Sequence, residues 1–251
     1  MRVILLIIFI PLFTFPQYLE NRLFLEISGN YRKSNLKELN SLIDEFHDAT
    51  IVVDWFQGKL ANFKDGRGLG LGIGYGFTHH LALGLRYDVI KFKNYNRDIV
   101  RGSIDSIAVE VESNLNFKLT SKALSLNLFF YPFNSPLIGI SLGIGGGIIF
   151  NTKFEQSLYF TLEEIDSGAK SLLLNSSLTY EQNKIAPMGQ AFLGIDIALG
   201  VLTSLILEGG YRYADVSEVK SSGGSLKNEN GDTVKIELSE YFASLFLRFL
   251  F

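Results

Sequence analysis

The chain has 251 residues, a formal net charge of −3 and no cysteine. A chain of this length forms one large all-β domain or two small ones. The slight excess of acidic residues argues against a nucleic-acid partner, which requires a concentrated basic face. Without cysteine there are no disulfides and no cysteine-based metal sites or nucleophiles. We predict no cofactor and no metal site.

The N-terminus has the composition of a secretory signal peptide. Arg2 is followed by an almost uninterrupted apolar run over residues 3–15. A run of about a dozen apolar residues is too short to cross a bilayer as a helix and suits the apolar region of a signal peptide. We therefore predict a signal peptide at residues 1–17 and a β-barrel domain at residues 18–251. An uncleaved N-terminal anchor helix is the alternative.

The segment Gly66–Phe77 shows the clearest strand pattern. Glycines occupy every second position, and Leu69, Leu71, Ile73 and Tyr75 alternate with them. On a strand this pattern gives one bare face and one apolar face. Seven further segments alternate in the same way: Arg22–Tyr31, Leu81–Ile90, Lys122–Tyr131, Leu137–Phe150, Pro187–Leu199, Leu205–Ala214 and Glu240–Phe251.

The connections between these segments alternate in length. Three are short, and four are long and polar: residues 32–65, 91–121, 151–186 and 215–234. Strands of about ten residues joined by short turns on one side and long loops on the other are typical of outer-membrane barrels. The prediction is an all-β, antiparallel up-and-down transmembrane β-barrel of about eight strands, with short periplasmic turns and long extracellular loops. Alternating stretches at residues 104–117 and 154–180 leave ten strands open.

The distribution of charge separates a membrane barrel from a soluble one. One face of each strand is apolar through its middle, and the charged residues of the strands share the opposite face. A membrane barrel exposes the apolar face to lipid and encloses the polar face. The predicted lumen charge network consists of Glu26, Arg86, Asp88, Asp196, Glu208, Arg212, Glu240 and Arg248. Exposed aromatic residues at both ends of the strands are expected to form two girdles at the headgroup level.

The last strand carries the most specific resemblance. SLFLRFLF ends the chain with Leu245, Leu247, Phe249 and Phe251 at alternate positions. This pattern resembles the C-terminal signal of outer-membrane β-barrels that the barrel-assembly machinery recognises. The segment LNLFFYPFNSPLIGISLGIGGG is similar to the strand–turn–strand of small OmpA-type and OmpW-type eight-stranded barrels. The resemblance implies a cell-surface, porin-like barrel in the outer membrane of a Gram-negative-type bacterium, with lipid and lipopolysaccharide as neighbours.

Two roles are compatible with the predicted lumen. Buried charges must pair, which favours a polar plug that closes the barrel and a purely structural role. The glycines of Gly66–Phe77 and Leu137–Phe150 instead suggest a narrow water path for a small solute. Such a pore would favour cations, because five acids outnumber three arginines in the predicted lumen.

The long loops suggest the alternative function, a surface-exposed adhesin or ligand-binding protein. A helix is predicted at Asn35–His47, with Asn35 and Glu38 as a capping pair, and a flexible tip is predicted at Ser221–Asp232. An apolar cluster follows the predicted helix in the chain. It is expected either to pack on the helix as a lid or to bind a partner. The cluster consists of Ile51, Val52, Val53, Trp55 and Phe56.

A lipid-modifying enzyme is the third functional class. It would use a histidine with a serine and an acid near the outer rim. The chain has three histidines. His79 and His80 lie in a predicted periplasmic turn, and His47 lies on the predicted helix of the first loop. We therefore predict no catalytic residues and no enzymatic activity.

Overall fold

The computed structural model describes residues 19–34, 36–51, 62–104, 107–228 and 230–251, without the side chains of residues 46–51. Nearly all of this part of the chain is antiparallel β-structure. The strands are β1 (Arg22–Ser34), β2 (Asp65–Gly76), β3 (Leu81–Ile104), β4 (Ile107–Asn134), β5 (Ile138–Glu164), β6 (Lys170–Gln182), β7 (Ala186–Ala198), β8 (Thr203–Val216), β9 (Val219–Ser221), β10 (Gly224–Ser225), β11 (Ile236–Glu237) and β12 (Glu240–Leu250). The helix is α1 (Lys37–Ile51).

Eight of these strands close into a ring. The order is β1–β2–β3–β4–β5–β7–β8–β12, and β12 pairs back onto β1 with Glu26 opposite Arg248. The eight-stranded up-and-down barrel predicted from the alternation is confirmed. Strand β6 does not enter the ring, because it pairs with the outer half of β5 while β7 pairs with the inner half. The ten-stranded alternative is therefore wrong.

The outer wall of the barrel is an apolar belt. Outward-facing Leu and Ile side chains are exposed on every strand of the ring; for example, Ile27 is 54 % exposed, Leu69 72 % and Leu71 59 %. The girdle aromatics are exposed as well: Tyr31, Phe150, Tyr211, Tyr213 and Tyr241 toward one end, and Phe77, Phe130 and Phe251 toward the other. Soluble domains rarely expose so much contiguous aliphatic surface. It matches the lipid-facing band of a transmembrane barrel.

Three strands extend far beyond the belt. Strands β3, β4 and β5 have 24, 28 and 27 residues, whereas a tilted strand needs only about 9–11 to cross a bilayer. Their outer halves, together with β6, form a sheet that projects from one end of the barrel. The strands predicted within the second and third loops are thus confirmed. No helix among the described residues is long and apolar enough to cross a membrane.

The polarity of the strands reverses where they leave the belt. Along the inward face of β3, Arg86 and Asp88 are followed by buried Ile90 and Phe92, while the outward face changes from Val89 to exposed Lys91. The inward residues beyond this point join the outer loops in one large apolar cluster. The outer end of the barrel is thereby covered by a conventional hydrophobic core.

Helix α1 contributes to this outer core. Leu36, just before it, and Leu39 and Ile43 within it are buried in the cluster, which accounts for their helical spacing. Asn40 anchors the helix, because its amide donates to the carbonyl of Phe63 at 3.0 Å and its oxygen accepts from the Phe63 amide at 2.8 Å. The predicted helix is therefore confirmed.

Three expectations for the loops have different outcomes. The carboxylate of Glu38 accepts from the backbone N–H of Lys235 at 2.7 Å; its predicted capping partner Asn35 lies outside the described residues, so the capping pair stays a prediction. The segment 221–232, predicted to be a flexible tip, contains β10 and a turn in which Asn228 accepts from Asp232 at 2.8 Å. The apolar cluster at residues 51–56 lies outside the described side chains.

Candidate functional site

The barrel interior holds the charged residues that share the inward face of the strands. Seven of the eight predicted lumen charges are buried, and the side chain of Asp196 is 13 % exposed near one mouth. Each takes part in at least one ion pair with another member of the set. An unpaired charge buried to this degree would cost several kcal/mol of folding free energy. The ion pairs offset this cost. The ion pairs form three tiers along the barrel axis.

Arg86 forms the central tier. Its Nη1 and Nη2 donate to the two carboxylate oxygens of Glu208 at 2.7 and 2.8 Å, and its Nε donates to Glu26 at 2.8 Å. The two-pronged contact uses the planar geometry of the guanidinium. The same group lies over the ring of Phe246 at 4.0 Å and over that of Phe129 at 4.8 Å. Arg86 is therefore enclosed at this level of the lumen by two carboxylates and two phenylalanine rings.

Arg248 forms the inner tier, toward the short turns. Its Nη2 donates to Glu26 at 2.7 Å, and its Nη1 donates to Asp196 at 2.9 Å and to the hydroxyl of Tyr131 at 2.7 Å. Tyr131 is buried on the inward face at the end of β4. Glu26 thus bridges the inner and central tiers, because each of its oxygens accepts from a different arginine.

The outer tier contains a charge that the predicted strand limits missed. Arg212 donates to Asp88 at 2.7 Å and to Gln190 at 2.9 Å. Arg32, which is 2 % exposed, lies 3.5 Å from both Asp88 and Glu240. The first strand was predicted to end at Tyr31, but β1 continues to Ser34, and the alternation then places Arg32 inside. Among the described residues, the interior therefore holds four arginines and five acids.

Aromatic rings fill the space beside the lumen glycines. A Cβ at Gly143 would overlap the ring of Phe192, and a Cβ at Gly74 would overlap that of Phe24. Phe192 and Phe24 each pack edge-on against Phe129, at 5.5 and 6.3 Å between ring centroids. The expectation of free volume for a water path beside these glycines is therefore wrong. The glycines are there because bulky inward side chains of other strands pack against them.

The histidines lie apart from this network. His79 Nε2 is 2.6 Å from a carboxylate oxygen of Glu20, and His80 Nδ1 is 2.7 Å from the carbonyl oxygen of Tyr131. Both belong to the short turn between β2 and β3, as predicted, and the side chain of His47 lies outside the described part. Within the described ranges, no group of three or more His, Asp or Glu side chains is placed to hold a metal ion.

The four residues of the predicted assembly signal share the outward face of β12. Leu245 is 50 % exposed and Phe251 68 %, while Leu247 and Phe249 are half-buried. Strand β12 closes the ring between β8 and β1, and the backbone N–H of Phe251 donates to the carbonyl of Leu23 at 2.9 Å. The signal residues therefore belong to the closing strand and to the lipid-facing belt.

No protein-family model matches the chain, and no curated protein matches its sequence. Among solved structures, the attachment invasion locus protein Ail of Yersinia pestis, in complex with the heparin analogue sucrose octasulfate, is similar at 14 % identity and a TM-score of 0.34, over 92 % of this chain and 99 % of that one. Neisserial surface protein A (NspA) is similar at 14 % identity and a TM-score of 0.36, over 91 % and 97 %. The eight-stranded ring described above is itself the fold that the resemblance to small OmpA-type and OmpW-type barrels predicts.

Proposed function

We propose that this chain is a closed outer-membrane β-barrel of a Gram-negative-type bacterium, with a structural role and no catalytic activity. In this proposal the barrel anchors the projecting sheet and outer core at the cell surface, and the lumen charges act as a plug. The observation that carries the proposal is the inverted polarity of the barrel. Aliphatic side chains cover the outer wall, and ion-paired arginines and acids occupy the inside.

Two features support a closed barrel over a pore. In the central tier, Arg86 is held by two carboxylates and covered by phenylalanine rings. Above the belt, the outer mouth is covered by the apolar cluster to which α1 contributes Leu39 and Ile43. An ion would have to displace an ion-paired guanidinium and also part a hydrophobic core. Both barriers oppose conduction, so the narrow-pore role is the less favoured of the two predicted roles.

We expect the reconstituted protein to show no ion conductance. The mature chain would be refolded in detergent, checked for the heat-dependent gel mobility of folded barrels, and inserted into planar bilayers. A known general porin inserted in the same bilayers serves as the positive control. Absence of current steps from the folded protein supports the plug. Reproducible steps of uniform size, above all with cation preference, would contradict it and favour the narrow pore.

Delivery to the outer membrane completes the proposal. The predicted signal peptide at residues 1–17 would direct export, and the alternate residues ending at Phe251 would be recognised by the barrel-assembly machinery. The second assignment is supported by the place of these residues on the strand that closes the ring. Outer-membrane lipid and lipopolysaccharide would then surround the belt.

Strand β6 favours a second candidate function, binding of a surface ligand. Leu172, Leu174 and Leu178 are 56, 43 and 45 % exposed. On the side away from β5, β6 pairs among the described residues only with β9, at Glu181 and Gln182. A long apolar strand with a largely open edge can accept an extended segment of another protein. The proposed partner is such a segment on a protein-coated surface, which makes the chain an adhesin.

We expect lysine at positions 172 and 174 to weaken adhesion, because an added strand would then meet two charges. Cells that display the wild type or Leu172→Lys/Leu174→Lys would be compared for retention on protein-coated surfaces, with a several-fold loss expected for the variant. Tyr159→Lys is the control, since Tyr159 is 42 % exposed on β5 of the same sheet, where the strand is paired on both sides. Equal retention of all three proteins would remove this candidate.

A further inference from the structure

Six basic side chains form a patch where the strands leave the apolar belt, which we call the basic sector. The sector consists of Arg67, Lys91, Lys93, Lys118, Lys122 and Lys153. It occupies neighbouring strands β2 to β5, and all six residues alternate with buried inward-facing neighbours. The sector therefore faces away from the barrel, at the level where the outer leaflet would carry its headgroups.

Within this sector, the strand register places like charges directly opposite each other. Arg67 is the direct cross-strand partner of Lys91, and Lys93 is the partner of Lys118. Like charges directly opposite each other destabilise a sheet. Such an arrangement is favourable only when anions lie between or above the charges.

The carboxylates near the sector neutralise only part of it. Glu155 forms ion pairs with Lys118 and Lys153, and the hydrogen bond from Lys118 is the main reason that the pKa of Glu155 lies below its usual value. Arg67, Lys91 and Lys122 form no ion pair with any residue in the described ranges. Three positive charges at the belt edge are thus left for an external anion.

An apolar groove begins directly below two of these charges. It has a volume of about 630 Å³, and its walls include Leu69, Val89 and Leu245, with Arg67 and Lys91 at one end. Gly29 forms part of its floor, and a Cβ at this position would meet no atom within 4 Å. The groove therefore joins a basic end to an apolar surface along which a hydrocarbon chain would fit.

The other side of the barrel lacks this combination. Near their outer ends, the outward positions of β7, β8 and β12 carry Ala191, Tyr211, Tyr213 and Tyr241, and the arginines of these strands, Arg212 and Arg248, point inward and are buried. Phenol rings suit any lipid headgroup region, whereas clustered cations select anionic ones. Basic residues are therefore concentrated on one side of the barrel, as expected for a specific binding surface and not for a uniform aromatic girdle.

We infer that the basic sector and the groove below it bind a phosphorylated, acylated lipid of the outer leaflet, with its phosphates on Arg67, Lys91 and Lys122 and an acyl chain along Gly29. Lipopolysaccharide is the lipid with this chemistry among the partners considered above. The inference rests on the proposed outer-membrane location and assigns a site to that partner. A chain bound in the groove would be held at both its charged and its apolar end.

The test uses fluorescently labelled lipopolysaccharide and the mature protein folded in zwitterionic detergent. We expect Arg67→Gln/Lys91→Gln/Lys122→Gln to weaken binding at least tenfold, because each basic residue near an anionic membrane surface contributes about fivefold in affinity and screening reduces the total. The control, Lys184→Gln/Lys227→Gln/Lys235→Gln, removes the same charge from exposed positions in the outer loops. It should bind like the wild type.

The groove and the ligand chemistry are tested separately. Gly29→Leu should fill the groove and weaken binding several-fold, whereas Gly189→Leu, where a Cβ also meets no atom within 4 Å, should not. Inorganic phosphate alone and dephosphorylated lipopolysaccharide should compete poorly. Equal loss in both triple variants, or no loss in the sector variant, would overturn the inference. Heat-dependent gel mobility of each sample reports on the barrel itself, so failure of the proposed function would be recognised independently.

Discussion

Replacement of Arg86 by Met is expected to lower the free energy of unfolding by about 3–5 kcal/mol, the usual cost of breaking a buried ion pair. Glu26 would keep Arg248 as a partner, but Glu208 would lose the only ion pair that it forms within the described residues. Glu208 is 1 % exposed, so water cannot replace the guanidinium without opening the lumen. Urea unfolding of the protein in lipid vesicles, followed by heat-dependent gel mobility, measures the change.

The double variant Arg86→Met/Glu208→Met separates the two causes of this loss. Replacing both members of a buried pair by apolar side chains of similar volume is often neutral, so the double variant should recover most of the lost stability. Arg97→Met is the control at an exposed pair, since Arg97 is 53 % exposed and donates to Glu112 at 2.8 Å. It should cost less than about 1 kcal/mol. An Arg86→Met protein as stable as the wild type would show that the central tier does not hold the barrel together.

Replacement of Leu71 by Arg is expected to reduce folding into membranes by about 2–4 kcal/mol, the cost of an arginine on the lipid face near the bilayer midplane. Leu71 is 59 % exposed and lies between Ile27 and Tyr87 on the neighbouring strands of the belt. In a soluble barrel the same change would place a charge in water at no such cost. The folded fraction in vesicles across a urea series gives the free-energy difference.

The matched control for the belt is Leu174→Arg. Leu174 is 43 % exposed on β6, outside the ring and beyond the belt, so the same charge should be harmless there. A neutral result for Leu71→Arg, or a barrel that is freely soluble without detergent, would contradict the lipid-facing assignment of the wall. The proposal for the basic sector would then be contradicted as well, because it assumes that the barrel lies in the membrane.

Local alternation in the sequence was enough to predict the barrel wall. In Gly66–Phe77, odd-numbered residues lie on the outer side of the wall and even-numbered residues on the inner side. This follows from the sequence alone, because successive side chains of a strand point to opposite sides whatever the neighbouring strand is. The same rule predicted that Arg86, Arg212 and Arg248 share one face. It failed for Arg32 only because the end of the first strand was placed three residues too early.

The partners of these charges could not be predicted in the same way. Arg86 meets Glu26 and Glu208, which are 60 and 122 residues away along the chain. Which charges meet depends on the stagger of the closed ring, a property of all eight strands together. The apolar outer core was missed for a related reason. Phe92 and Phe117 were part of a loop in the sequence, and only the continued hairpin of β3 and β4 brings them over the lumen.

The sequence by itself therefore determined the eight strands of the barrel wall and the face on which their residues lie, because side-chain alternation is a local property of the backbone. The tertiary structure decided which arginine pairs with which acid, that β6 stays outside the ring, and that helix α1 covers the outer mouth. It also aligned Arg67 with Lys91 above the groove at Gly29. These contacts join residues that are distant in the chain, and they exist only once the strands have a register and the barrel has closed.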